Sequence, residues 1–192
     1  LITLDDSQFF AKGGERKCFI HPEDTSKLIK IQYDNTLGRN QNTLDLHYYN
    51  HLKQRVSDFS GIANFHGQVE TNLGGGLVFD IVRNYDGKLA QTFEDMVRNN
   101  FFSAQQEMSL LEELQQYLTK HLIVFGDVVL SNILCQEYAK NAFKLIIVDG
   151  LGARRFNFKL WLQNRSDAYA KIRINMQYEK LLLKYQQIKT QS

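Results

Sequence analysis

Proline is almost missing from this chain: Pro22 stands alone among 192 residues. That excludes a Pro-rich linker or recognition segment. Cysteine is nearly as scarce, with only Cys18 and Cys135, each inside an apolar, strand-like run. Two such residues make no disulfide framework; buried thiols and a reducing, cytoplasmic setting are the expectation. No apolar run reaches the roughly 20 residues of a membrane span, and no signal-peptide pattern opens the chain. Internal repeats and low-complexity stretches are also absent. Neither sign of charge dominates, with 23 Lys/Arg against 21 Asp/Glu. What remains is 43% hydrophobic and 23% charged, a composition that suits one soluble unit with a sizeable core.

The distribution of charge says more than its total. Residues 151–192 hold nine Lys/Arg against two acids, a balance of +7 that leaves −5 for residues 1–150. A basic C-terminal helix could meet an anionic partner such as a membrane, a nucleic acid or an acidic substrate. The plainer reading is the solvated face of an amphipathic helix.

Along the chain, residues 8–32 read as strands. Gln8–Ala11 leads into a Gly13-Gly14 turn, Arg16–His21 returns, and a turn at Pro22–Ser26 precedes Lys27–Gln32. Residues 40–55 read as a helix, with Leu44, Tyr48 and Leu52 four apart on one face. Phe65–Thr71 and Leu77–Val82 read as a hairpin around Gly74-Gly75-Gly76. The expectation is a five-stranded antiparallel lobe carrying one helix. A polar stretch with the turn signal Asp86-Gly87 follows, and Asn84–Gly87 is expected as a hinge. Beyond it, residues 104–122 carry Met108, Leu111, Leu114, Leu118 and Leu122 on one stripe. Short apolar strands fall at Ile123–Phe125, Ile133–Cys135 and Leu145–Val148. Residues 166–188 close the chain as a helix that turns Tyr169, Ile172, Met176, Leu181 and Tyr185 inward. The fold class is therefore α+β, a β-rich half (1–83) and a mostly helical half (88–192) of one domain.

Three polar signals interrupt these apolar runs in order. Lys30 lies in Leu28-Ile29-Lys30-Ile31, on the face shared with Leu28. An inward lysine needs a carboxylate or a phosphate; an outward one is an ordinary edge-strand lysine. Asp127 and Asn132 lie five apart in Phe125-Gly126-Asp127-Val128-Val129-Leu130-Ser131-Asn132, just before an apolar strand. Asn132 would do as a turn cap, but Asp-x4-Asn is also the spacing of a phosphoryl-transfer loop. Asp149 stands where Ile146-Ile147-Val148 runs into Gly150-Leu151-Gly152, as a turn starter or a metal ligand. Phosphoryl transfer asks for a cation on the phosphates, oxygen ligands for magnesium and a base, and the ordered set supplies all three.

With these residues the chain resembles the protein-kinase-like superfamily. More narrowly it resembles the bacterial YrbL family, named for the PhoP regulatory network. The local matches are Arg16-Lys17-Cys18, His21-Pro22-Glu23-Asp24, Leu28-Ile29-Lys30-Ile31, Tyr48-Tyr49-Asn50-His51-Leu52, His66-Gly67-Gln68-Val69-Glu70-Thr71 and Asn132-Ile133-Leu134-Cys135. The resemblance implies a two-lobed fold that binds ATP with magnesium. It assigns Lys30 to the phosphates, Asn132 and Asp149 to the metal, and Asp127 to the catalytic base. Gly13 and Gly14 would cover the phosphates, and Asp45 takes the helix position of the acid that pairs with the lysine. Gly150-Leu151-Gly152 replaces the usual Phe-Gly, and no Ala-Pro-Glu element exists, which argues against a peptide-docking platform. Two readings stay open: a phosphotransferase with an unidentified acceptor, and a nucleotide-binding pseudokinase or regulatory module without turnover. A third, plainer one makes these residues structural caps and turns.

Overall fold

The computed structural model describes residues 1–33, 40–152 and 165–191, and the chain divides into two units. The first comprises residues 1–54 and 64–81. Its sheet is antiparallel and five-stranded, built from β1 (Phe9–Lys12), β2 (Arg16–His21), β3 (Asp24–Gln32), β4 (Phe65–Thr71) and β5 (Gly74–Asp80) in the order β1-β2-β3-β5-β4. Alternation along β3 sorts its side chains by face. Ile29 and Ile31 join Leu4, Phe19 and Val78 in an apolar cluster. Lys30, opposite Cys18 on β2 and Leu77 on β5, points to the other face.

That other face is covered by α1 (Gln41–Lys53), started by Asn40, whose side chain accepts from the Thr43 amide. Leu44, Tyr48 and Leu52 are all buried. Tyr49 packs on Phe65 and Phe79 with ring centroids 5.3 and 5.2 Å away.

The β4–β5 turn is not where the three glycines suggest. It falls at Asn72-Leu73, where the Thr71 hydroxyl accepts from the Leu73 amide and donates to the Gly74 carbonyl. Gly74 takes a φ of +102°, but Gly76 sits within β5, where a Cβ would come 2.4 Å from Ile29 and 2.8 Å from Ile31. Its glycine lets the β3 isoleucines close over the sheet.

The second unit comprises residues 55–63 and 82–192. Residues 55–63, read from sequence as part of the first lobe, belong here. Gly61 and Ala63 bond Ile147 through N–H···O contacts of 3.0 and 2.9 Å. Gly61 also lies against the Tyr117 ring, where a Cβ would be 2.5 Å from ring carbons. The unit holds β6 (Gln91–Thr92), α2 (Phe93–Arg98), α3 (Ala104–His121), β7 (Ile133–Ala139), β8 (Ala142–Ile147) and α4 (Asp167–Lys189), with β6, β7 and β8 forming an antiparallel sheet. Residues 84–87, expected as a hinge, are a turn pinned to β7. The Tyr85 amide donates to Glu137 O at 2.8 Å, and the Asn84 side chain accepts from the Glu137 amide at 3.0 Å.

Helix α3 opens on a capping box between Ser103 and Gln106 and ends where Leu122 turns left-handed. Leu111, Leu114 and Leu118 are buried as expected, while Met108 is only half-buried and Leu122 lies past the end. The stripe instead includes Glu107, fully buried, which accepts from the Tyr185 hydroxyl (2.7 Å) and from Lys189 Nζ (3.1 Å) of α4. Helix α4 packs on α2 and α3 through only part of the stripe expected: Leu181 and Tyr185 are buried and Tyr169 is half-buried. Ala170, Ile174, Gln177, Leu181, Tyr185 and Ile188 face in, whereas Ile172 and Met176 are exposed. Arg154, Arg155 and Lys159 of the basic tail lie outside the described residues.

Candidate functional site

In the first unit the candidates occupy the helix-covered face and the β1–β2 turn. Lys30 is 7% exposed, with its ammonium 4.6 Å from the centroid of the Phe79 ring, a contact that favours a cation. Its strand is also gripped through the backbone, since Asn42 Nδ2 of α1 donates to Lys30 O at 3.0 Å. Asp45, one turn along α1, is buried too. Its Oδ2 meets Arg16 NH1 at 2.5 Å and its Oδ1 accepts from Gln41 Nε2 at 2.9 Å. Arg16 NH1 also reaches Asn42 Oδ1 at 3.3 Å. The charge facing Asp45 therefore includes a guanidinium from β2, a residue the sequence reading passed over. Period two puts Arg16, Cys18 and Ile20 on the face of Lys30, but a single arginine in a short strand reads as a solvated one until its register against α1 is known.

Gly13 and Gly14 form the β1–β2 turn, closed by the Gly13 amide on Arg16 O at 2.8 Å. Neither has a positive φ, and a Cβ on Gly14 would meet nothing within 4 Å. The turn is held from above by Tyr33, whose hydroxyl lies 2.9 Å from Gly13 O and 2.8 Å from Gly14 O. Lys12 and Lys17 flank its ring at 4.9 and 5.8 Å from the centroid.

In the second unit, the polar loop and the strand exit are laced together. Phe125 bridges Leu151, the Gly152 amide donates to Val124 O (2.8 Å), and the Asp127 amide donates to Gly150 O (2.9 Å). A 3-10 turn at Leu130–Asn132 follows, anchored by buried Val128, Leu130 and Ile133. Asn132 then fastens both sides. Its Nδ2 donates to Asp127 O at 3.2 Å, and its carbonyl accepts from the Val148 amide at 2.9 Å. A carbonyl can only accept, so the NH₂ end of the amide must face Asp127 O, leaving Oδ1 as a turned-away acceptor.

Gly150 is the pivot. Its φ is +80°, and a Cβ there would come 2.8 Å from Asp127 Cβ, 2.9 Å from Asp127 O and 3.0 Å from Asn132 Nδ2. Its amide is taken by Asp149 Oδ1 at 2.8 Å. Asp127, Asn132 and Asp149 are all half-buried around it. Carboxylates and an amide oxygen are hard donors, suited to magnesium and not to a soft metal. Among the described residues no three His, Cys, Asp or Glu side chains gather.

Residues 2–186 match the family described as PhoP regulatory network protein YrbL. The YrbL protein of Escherichia coli (strain K12) is 34% identical over 155 residues, covering 79% of this chain and 74% of that one. The YrbL protein of Shigella flexneri matches with the same figures. Among solved structures, the PknI kinase domain of Mycobacterium tuberculosis superposes with a TM-score of 0.51 at 10% identity, over 74% of this chain. The chain spans only 57% of that domain's length. A cysteine-to-alanine mutant of the same domain gives 0.54 at 11% identity, with 91% and 71% covered. At such identity the likeness is one of fold, and the fold is that of a protein kinase domain. The chain belongs to the PhoP regulatory network protein YrbL family.

Proposed function

We propose that this protein binds ATP with magnesium and transfers a phosphoryl group to an acceptor other than a docked peptide. The observation that carries the reading is the lacing around Gly150, which ties the loops of Asp127, Asn132 and Asp149 together. The bonds that fix them are local, Asn132 Nδ2 on Asp127 O and Asp149 Oδ1 on the Gly150 amide, and the reading takes their remaining oxygens as the functional ones. In this reading Asn132 Oδ1 and Asp149 hold the magnesium, Asp127 takes the acceptor proton, and Lys30 neutralises phosphate charge. Gly13 and Gly14 supply a turn without side chains over the phosphates, and Asp45 serves indirectly by fixing α1. Bound magnesium supplies charge neutralisation on the phosphates; the protein's share is positioning.

A second reading, nucleotide binding without turnover, is favoured by one feature. The Asp45 carboxylate is engaged by Arg16 and Gln41, so the placement of Lys30 draws on something other than an exclusive pair with that acid.

The test is thermal melting with ATP, with and without magnesium, followed by turnover assays. Ligand at a hundredfold excess over Kd stabilises by about 2.7 kcal/mol. Asp149→Asn should remove the magnesium-dependent part of that shift. Asp127→Asn should keep the shift and cut turnover roughly 10²–10⁴-fold. No shift with MgATP at millimolar concentration would end both readings, and a shift with no hydrolysis or transfer would leave the second.

A further inference from the structure

Helix α4 carries two apolar stripes on opposite sides. Ala170, Ile174, Gln177, Leu181, Tyr185 and Ile188 bury one against the unit's core. At about 100° per residue, Ile172, Met176 and Leu183 lie within roughly 40° of one another on the far side. They are 57%, 45% and 59% exposed. A solvated helix face has no need of three aliphatic side chains in register. Along one edge of the outer stripe run Arg173, Lys180 and Lys184, and the only acid within it is Glu179. Asp167, at the helix start, is already paired with Arg55 at 2.9 Å.

We infer that this outer face of α4 docks on an anionic lipid surface. The combination of groups selects the partner. Aliphatic side chains flanked by basic ones suit the boundary between acyl chains and acidic headgroups, where the stems of lysine and arginine lie along apolar surface with their charges outward. Nucleic-acid phosphates would satisfy the basic edge and leave the aliphatic stripe in water. A second copy of the chain would bury three half-exposed side chains per partner, far short of the roughly 800 Å² that stable interfaces take from each. Charge complementarity points the same way, since α4 itself, Asp167–Lys189, carries five Lys/Arg against two acids. No helix among the described residues is long and apolar enough to cross a membrane, so the contact is peripheral. This inference does not depend on nucleotide binding.

The experiment is co-sedimentation of the full chain with phosphatidylcholine vesicles and with vesicles containing 30% phosphatidylserine. Binding is expected to the acidic vesicles alone and to weaken with salt. Lys180→Gln with Lys184→Gln should weaken it roughly 25-fold, about fivefold for each basic residue near an anionic surface. Ile172→Gln, Met176→Gln and Leu183→Gln together should abolish it without changing the melting temperature, because all three sites are exposed. Glu179→Gln should strengthen it. Wild-type protein that stays in the supernatant overturns the inference. So does a triple variant that binds as wild type does, or a concentration-dependent dimer that the triple variant dissolves.

Discussion

Arg16→Met removes the guanidinium from a buried pair whose side chains are 6% and 4% exposed. Asp45 then loses its guanidinium contact and keeps the Gln41 amide, and Asn42 loses one of its contacts. Leaving one member of a buried ion pair alone typically costs about 3–5 kcal/mol. For a chain of this size each kcal/mol lowers Tm by roughly 2–4 °C, so a fall on the order of 10 °C is expected. Asp45→Leu alone should also destabilise, because it takes the buried carboxylate away from the Arg16 guanidinium. The double variant should recover most of the loss, since a buried pair replaced by apolar groups is often near neutral. The cycle should thus give a coupling of at least about 2 kcal/mol.

Local opening is best read by amide exchange, because two units need not unfold together. Exchange should rise in residues 41–53 in either single variant. Lys30→Met should raise it less, because the Asn42 contact on that strand is made to the Lys30 carbonyl. An Arg16→Met variant that melts within about 1 kcal/mol of wild type, or a double variant that loses the sum of the two single losses, would refute the clamp.

The other predictions concern the second unit and the thiols. Glu107→Ala should cost about 3 kcal/mol, because it strands the Tyr185 hydroxyl and takes the carboxylate from the mostly buried Lys189 ammonium, which keeps its Asn100 contact. Tyr185→Phe should cost roughly half as much, as measured by urea unfolding. Gly150→Ala should abolish any MgATP-induced thermal shift while lowering Tm by only a few degrees, since the φ of +80° and the Asp127 contacts force the loop pair apart locally. In a thiol assay at pH 8 the native protein should titrate Cys18 before Cys135. Burial pushes the Cys135 thiol up to about 12, so its reactive thiolate is scarce until the protein unfolds, and equal rates for the two would show that Cys135 is not enclosed.

Much of the fold could be read from residue order. The strands at Arg16–His21 and Phe65–Thr71 were bounded to the residue, because β-branched and aromatic runs there end in clear turn signals. The errors share a cause, which is that a period gives spacing and not phase. In α4, apolar residues lie on both sides of the helix. The expected stripe joined Ile172 and Met176, which are exposed, to Leu181 and Tyr185, which lie on the opposite side and are buried, and packing on α2 and α3 decides between the two sides. The triple glycine misled for a related reason. A glycine marks either a backbone that bends or a neighbour that comes close, and Gly76 is the second kind.

The candidate site was legible in its acids and not in their partners. Asp127, Asn132 and Asp149 announce themselves by breaking apolar strands at fixed spacing, and that spacing is local. The groups that hold the buried acids elsewhere in the chain are not local. Asp45 is 29 residues from Arg16, and Glu107 is 78 from Tyr185. Which cation faces a buried carboxylate depends on strand register and helix phase together, and a one-residue slip in β2 would replace Arg16 by Lys17 at that position. Lysine there would bring one point charge where the guanidinium of Arg16 touches both Asp45 and Asn42. The position of α1 over Lys30 therefore rests on the register of a strand that never reads as part of the site.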